Sequence, residues 1–197
     1  MALKHAQHYI SEQEYLQGEM IADIRHEYID GGVFAMAGAS RNHSLLISNC
    51  VQLLTNHLQN SPCMTFSSEI KIKTERCFFY PDVMVVCEDE QGHDYYTEKP
   101  TLIVEVLSKT TRRLDKTVKL AAYKALPCLQ EYVLIEQDHV EIEVFRRSQN
   151  WLAEHFFLGD SIYLDSIDLN VDVAELYRRV INEDMLDYLQ QLEQQAG

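Results

Sequence analysis

Glu105 constrains this chain more than any other residue, because it is a lone carboxylate inside Leu102-Ile103-Val104-Glu105-Val106-Leu107. An apolar run of that kind, without alternation, reads as a strand covered on both faces near the middle of a sheet. Taking an ionised carboxylate out of water there costs several kcal/mol unless it is paired or holds a metal. Glu105 is therefore a structural ion-pair partner, a strand-end acid open to solvent, or a catalytic or metal-binding group. A second apolar run, Val83 to Cys87, starts directly after Pro81-Asp82. Alone, Asp82 reads as a turn residue favoured by the Pro-Asp dipeptide. If the two runs are neighbouring strands, however, two acids converge at one place. Paired carboxylate oxygens, with water completing the shell, are what a hard cation such as Mg²⁺ takes.

The rest of the chain supplies a mixed α/β frame for those strands. Ser11-Glu12-Gln13-Glu14 has the pattern of a capping box and predicts a short first helix. His26 to Ile29 and Val33 to Met36 flank Asp30-Gly31-Gly32 and read as a hairpin. Ser40 can cap a second helix, where Leu46, Cys50, Leu53, Leu54 and Leu58 form one apolar stripe. His43 lies one turn before that stripe and points toward the sheet side. Phe66 to Lys73 alternates as a single strand would. Arg112 to Leu126 reads as a helix ended near Pro127, and Glu131 to Glu136, Val140 to Arg146 and Trp151 to Phe157 read as later strands. Ala174 to Gln194 reads as one amphipathic helix, suited to docking on the body or on a second subunit. No repeat, linker or low-complexity tract divides the 197 residues, so the expectation is a single domain with a core over about 11–164 and a helical extension over about 172–195.

No run of apolar residues is long enough to span a membrane, and the N-terminus lacks the apolar stretch of a signal peptide, so a cytoplasmic location is expected. The five cysteines are odd in number and form no C-x-x-C pair, which favours buried free thiols. The net charge of −14 taken alone argues against a nucleic-acid partner. The charge is uneven, however. Lys109, Arg112, Arg113, Lys116, Lys119 and Lys124 face only Asp115 within their stretch. Such an island is either a phosphate-binding groove or a solvated helix face.

Lys119 is the cation best placed to join the two acids. Asp115, Lys119 and Tyr123 are spaced i, i+4, i+8 and share a helix face directly after the Glu105 run. An ordinary ion pair between Asp115 and Lys119 would contribute only tenths of a kcal/mol. An ammonium beside a metal would instead orient a nucleophile and stabilise charge on a phosphate. Other signals fail. Gly38-Ala39-Ser40-Arg41-Asn42 lacks the last glycine of a nucleophile elbow, no phosphate-cradling glycine loop is present, and His5 with His8 is too little for a zinc site.

Several motifs stand in a distinctive order: Glu27-Tyr28-Ile29-Asp30-Gly31, Met36, His43, Pro81-Asp82-Val83, Ile103-Val104-Glu105-Val106-Leu107-Ser108, Asp115-x-x-x-Lys119-x-x-x-Tyr123 and Glu131-Tyr132. From about Ser11 to about Leu164 the chain resembles a large bacterial family, abundant in cyanobacteria, assigned as restriction endonucleases of the PD-(D/E)XK nuclease superfamily. The resemblance implies a restriction-endonuclease-like core, a mixed sheet flanked by helices. It implies Mg²⁺ (or Mn²⁺) held by Asp82 and Glu105, Glu27 as a further acid near the site, and DNA as substrate. The superfamily pattern has a lysine two residues after the second acid. Leu107 stands there instead, and the lysine of the next helix, Lys119, is the implied substitute. His43 matches a family position, where it would touch a metal ligand or a substrate phosphate, or else be a satisfied core histidine.

The expected function is thus Mg²⁺-dependent hydrolysis of DNA phosphodiesters, with Asp82, Glu105, Lys119 and Glu27 as the site. Lys109, Arg112, Arg113, Lys116 and Lys124 would meet nucleic acid, and a homodimer would use the C-terminal helix. The rival is a non-catalytic module that keeps the fold to bind nucleic acid or a protein, which the net charge and Leu107 favour. An enzyme acting on another phosphate substrate is a third reading.

Overall fold

The two acid-bearing runs are neighbours. In the computed structural model, which describes residues 9–89 and 92–196, β6 (Val83–Val86) pairs antiparallel with β8 (Leu102–Leu107). They lie inside a six-stranded sheet completed by β3 (Met64–Phe66), β9 (Glu131–Glu136), β10 (Ile142–Arg146) and β11 (Ala153–Phe156), in the order β11-β10-β9-β8-β6-β3. Only the β8–β9 contact is parallel. Both faces of the middle strands are covered, which is why their sequences do not alternate.

One face carries Val83, Val85, Val104, Val106, Val133, Ile135, Ile142 and Val144. Helix α2 (Arg41–Leu58) packs on it through Leu46, Cys50, Leu54 and Leu58, one stripe at a spacing of four. Ser40 caps α2 by accepting from the His43 N–H at 3.1 Å. The opposite face carries Met84, Val86, Ile103, Leu107, Leu134 and Phe145. It meets Tyr123 and Leu126 from the helical stretch after β8, and Ile72 and Phe79 from a second sheet. That sheet has five strands in the order β2-β1-β5-β4-β7, formed by β1 (His26–Ile29), β2 (Gly32–Ala35), β4 (Lys71–Lys73), β5 (Cys77–Phe79) and β7 (Tyr96–Thr97). Helix α1 (Glu12–Glu19) opens on the capping box expected at Ser11 and buries Tyr15 against Tyr28 and Phe78. The architecture is the expected mixed α/β core flanked by helices.

Several boundaries differ from the sequence expectation, each for a local reason. The β1–β2 turn is Asp30-Gly31, not three residues, and both take positive φ (47° and 86°) as a two-residue hairpin turn requires. Phe66 to Lys73 is not one strand. Ser68 turns left-handed at φ 51°, its N–H bonds the Pro81 carbonyl at 3.1 Å, and the chain leaves one sheet for the other. The C-terminal region is not one helix either. Arg179, at φ 66°, separates α5 (Val173–Leu176) from α6 (Glu183–Ala196), which Asn182 caps through the Met185 N–H at 3.0 Å. Val173, Leu176, Tyr177 and Val180 belong to the main core, so this region is built into the body from its start. A hairpin, β12 (Ser161–Leu164) with β13 (Leu169–Asp172), precedes it and was not foreseen.

The cysteine expectation is corrected at one pair. The β3–β6 register places Met64 opposite Val86, so Cys63 falls opposite Cys87, and the two form a disulfide with Cα atoms 3.8 Å apart. Cys50, Cys77 and Cys128 are free thiols, the first two buried.

Candidate active site

Register brings the acids together. Val83 lies opposite Val104, so the next pair along the antiparallel ladder is Asp82 and Glu105. The Asp82 N–H donates to Glu105 Oε2 at 3.3 Å, and Asp82 Oδ2 accepts from the Val106 N–H at 2.7 Å. Glu105 is 3% exposed, at the floor of a cleft of about 360 Å³. Glu27, His43, Asp82, Asp115 and Lys119 line the same cleft, which residues 34–40 wall on one side. The hairpin β1–β2 supplies Glu27, and α2 supplies His43 from its first turn.

Lys119 arrives by an irregular helix. The expected helix from Arg112 exists, but as α3 (Arg112–Leu114), a π-helical turn (Asp115–Lys119) and α4 (Leu120–Lys124). Within the turn the Leu120 N–H reaches back to the Asp115 carbonyl, a five-residue step that widens the helix. Tyr132 also donates to that carbonyl, at 3.2 Å. The widened turn buries both Asp115 and Lys119 against the sheet. Lys119 Nζ then stands 2.9 Å from Glu27 Oε1, 3.0 Å from Glu105 Oε1 and 3.3 Å from Asp115 Oδ1. Tyr123, one turn on, donates to Glu105 Oε1 at 3.1 Å. Leu107, where the superfamily lysine would stand, is fully buried in the core.

The charges do not balance. One ammonium serves three carboxylates, and Asp82 adds a fourth, facing His43 Nε2 at 3.3 Å. Burial pushes Glu105 well above the usual carboxylate range; Lys119 opposes that, while Asp82, Asp115 and Glu27 add to it. Burial raises Asp115 as well, against the pull of Lys119. Its Oδ1 is buried with the Lys119 charge nearby but without an aligned hydrogen bond. Burial alone would depress Lys119, yet Glu105, Glu27 and Asp115 outweigh it and hold the group well above its ordinary value. Burial would likewise lower His43, but the Asp82 carboxylate prevails and the net shift is upward. His43 Nδ1 is buried without a partner.

A divalent cation fits this donor set. Among the described residues Glu105 Oε2 has only the long contact from the Asp82 N–H, and a cation would offset both the burial and the neighbouring carboxylates that raise Glu105. Asp82 and Glu105, neighbours across the β6–β8 ladder, are acids that could hold it.

The basic island is largely turned inward. Arg112 Nη2 bonds Glu136, Lys116 Nζ bonds Glu143, and Lys119 is buried in the site. Lys124 Nζ lies 5.6 Å from the Phe145 ring centroid. Lys109 and Arg113 are exposed, with no ion pair among the described residues. His5 and His8 lie outside the described residues. Gln137 was missed by sequence reasoning: it lines the cleft, donates to the Leu107 carbonyl at 2.8 Å and meets Ser40 Oγ. Only the pairing of β9 with β8 brings it there, so no local signal marks it.

The fold is shared with a solved structure. A protein from Anabaena variabilis, described as "a putative nuclease belonging to DUF820", superposes with a TM-score of 0.74 at 20% identity, covering 87% of this chain and 99% of that one. Residues 12–174 match the Uma2 family, described as "Putative restriction endonuclease", and the chain belongs to that family. Two proteins of Synechocystis sp., both described as uncharacterised, are similar along most of their length. One is 36% identical over 175 residues, covering 86% of this chain and 92% of its own. The other is 35% identical over 150 residues, covering 73% and 85%. Among the described residues, no helix is long and apolar enough to cross a membrane.

Proposed function

We propose that this protein hydrolyses DNA phosphodiester bonds with Mg²⁺ or Mn²⁺ held by Asp82 and Glu105. The observation that carries the reading is the buried excess of carboxylate over cation at the floor of an open cleft. Such an arrangement is costly for a purely structural cluster and suited to a divalent ion. A bound Mg²⁺ would supply an acidified water and neutralise charge developing on the phosphate. Lys119, held fully charged, acts as a donor and positive charge toward the scissile phosphate and not as a base. Glu27 and Asp115 position that ammonium, and Tyr123 fixes the Glu105 carboxyl. His43 orients Asp82 from the other side.

Lys109 and Arg113 are the first phosphate contacts outside the cleft, with Arg112, Lys116 and Lys124 reaching phosphate only by exchanging their present partners. The chain works as a homodimer through α6, where Leu186, Leu189 and Leu192 stay exposed at 49, 49 and 43%. A monomeric mass in solution scattering at tens of micromolar would overturn that part. The deciding experiment is nicking of supercoiled DNA with Mg²⁺ or Mn²⁺, by the parent and by Glu105→Gln. Metal-dependent nicking by the parent alone supports the enzyme. The absence of both nicking and metal-stimulated DNA binding favours a non-catalytic protein-binding module, a reading that the inward-turned island already supports.

A further inference from the structure

A second group of metal-type donors lies on the same sheet face as Glu105, two strands away. Glu105 is opposite Leu134, Leu134 is opposite Glu143, and Glu143 is opposite His155 on β11. Directly opposed residues share a face, so Glu143 and His155 point the same way, and Glu141, two residues before Glu143, joins them. Ligand atoms of Glu141, Glu143 and His155 lie within 4.8 Å of one another. His139 closes on the same carboxylate from the other side. Its Nε2 is 3.0 Å from Glu141 Oε2, while His155 Nδ1 is 2.8 Å from Glu141 Oε1.

We propose that Glu141, Glu143 and His155, with His139 bonded to the outer oxygen of Glu141, form a second cation site, for a transition-metal ion such as Zn²⁺, separate from the Asp82–Glu105 cleft. The donor chemistry separates the two sites. An imidazole nitrogen with two carboxylates suits Zn²⁺ and its neighbours, whereas an oxygen-only pair suits Mg²⁺. The spacing also fits. Donors held about 2.0–2.2 Å from one Zn²⁺ lie roughly 3.3 Å apart in a tetrahedron, so small side-chain movements open the Glu141–histidine contacts to an ion.

The site is preorganised. The Tyr177 hydroxyl ties Glu141 to the end of β9, accepting from the Glu141 N–H at 3.3 Å and donating between the Glu136 carbonyl at 2.7 Å and the Glu141 carbonyl at 3.0 Å. Lys116 holds Glu143 through Oε1, the kind of outer contact that orients a ligating carboxylate. Both imidazoles are about half exposed, at 48 and 45%, which gives an ion a way in. Two strand spacings, about 9.5 Å, separate the site from Glu105, against the roughly 3.5–4 Å of a two-metal catalytic pair. The ion would instead clamp the β9–β10 hairpin to the edge strand β11.

The test is Zn²⁺ titration calorimetry on the full chain in excess Mg²⁺, which keeps the oxygen pair occupied. We expect one Zn²⁺ per chain, weakened at least about tenfold by Glu141→Gln and by His155→Gln, with far-ultraviolet circular dichroism unchanged. Asp82→Asn should retain the binding. No Zn²⁺ binding by the parent, equal binding by all variants, or loss on Asp82→Asn would each overturn the proposal. None of these outcomes depends on nuclease activity.

Discussion

Glu105 and Glu131 begin alike and end differently. Both are carboxylates on central strands that pair with each other in parallel, and both are buried, at 3 and 1% exposure. Glu131 is saturated. Oε1 accepts from Arg146 Nε at 3.1 Å and from the Asp165 N–H at 3.3 Å, and Oε2 accepts from the Ser166 N–H at 3.0 Å and its hydroxyl at 2.5 Å. Its charge is matched by the Arg146 guanidinium, and the other acids that meet this cation, Glu154 and Asp165, are open to solvent at 40 and 53%. Glu105 shares one ammonium with Glu27 and Asp115 and stands beside Asp82. The first arrangement stabilises the loop after β12, because every lone pair has a donor. The second is left electrostatically incomplete, and that incompleteness marks it as a place for a ligand. Burial alone does not separate the two acids; the donors on their own oxygens do, together with the burial of the acids that compete for the same cation.

Neutralising each acid tests the contrast most strongly. Glu131→Gln should cost about 3 kcal/mol of stability in urea denaturation, because Arg146 loses a buried partner. Any loss of DNA cleavage by that variant should track its unfolding. Glu105→Gln should do the reverse. Cleavage falls on the order of 10²–10³-fold, while the melting temperature does not drop, since one of the acids competing for Lys119 is gone. If Glu105→Gln unfolds the protein as Glu131→Gln does, the two acids are equivalent and the comparison fails.

A smaller effect appears with pH. The folded-state pKa of Glu105 is raised, so its contribution to stability is full below the ordinary carboxylate range and is lost as pH climbs through the raised value. Asp115 and His43, also shifted upward, act with the same sign. Mg²⁺ must displace the Glu105 proton, so its affinity should rise with pH across that window, by at most about tenfold per pH unit for one proton released. Calorimetry in buffers of different ionisation enthalpy would register the proton. A flat Mg²⁺ affinity across the window would mean that Glu105 is already ionised in the free protein.

These residues were legible in the sequence to different depths. Asp82 and Glu105 stand out because acids adjoining or inside apolar runs break the burial rule. Lys119 and Tyr123 followed from spacing alone. Glu27 came only through resemblance, since nothing local ties a hairpin acid to strands far along the chain, whereas helix spacing turned His43 toward the sheet and resemblance alone suggested a role for it. Glu131 was part of the recognised pattern, but its bond to Arg146 depends on the β9–β10 register and could not be read. The π-helical turn left no trace, because the i, i+4 spacing of Asp115 and Lys119 looks the same in a regular helix. The missed boundaries at Ser68 and Arg179 share one cause: left-handed backbone at residues other than glycine, which tertiary contacts impose.

The mildest contrast lies within the basic island, between cations spent on the fold and cations left over. Arg112 and Lys116 sit against Glu136 and Glu143, so moving them to phosphate means giving up existing pairs. Lys109 and Arg113 give up nothing. On a body of net charge −14, binding should be weak and should rest on those two first. Each duplex phosphate neutralised contributes about −0.9 to the log–log slope of affinity against salt. Lys109→Ala with Arg113→Ala should therefore shallow the slope by roughly 1.8. Arg112→Ala with Lys116→Ala should change it by less than half as much, and should lower stability instead by leaving Glu136 and Glu143 without their cations. Measurements in Ca²⁺, to block turnover while charging the cleft, keep binding apart from cleavage. If the Arg112 and Lys116 pair proves the steeper, the helix exchanges its carboxylates for phosphate on binding, and the island is a latent interface held closed by Glu136 and Glu143.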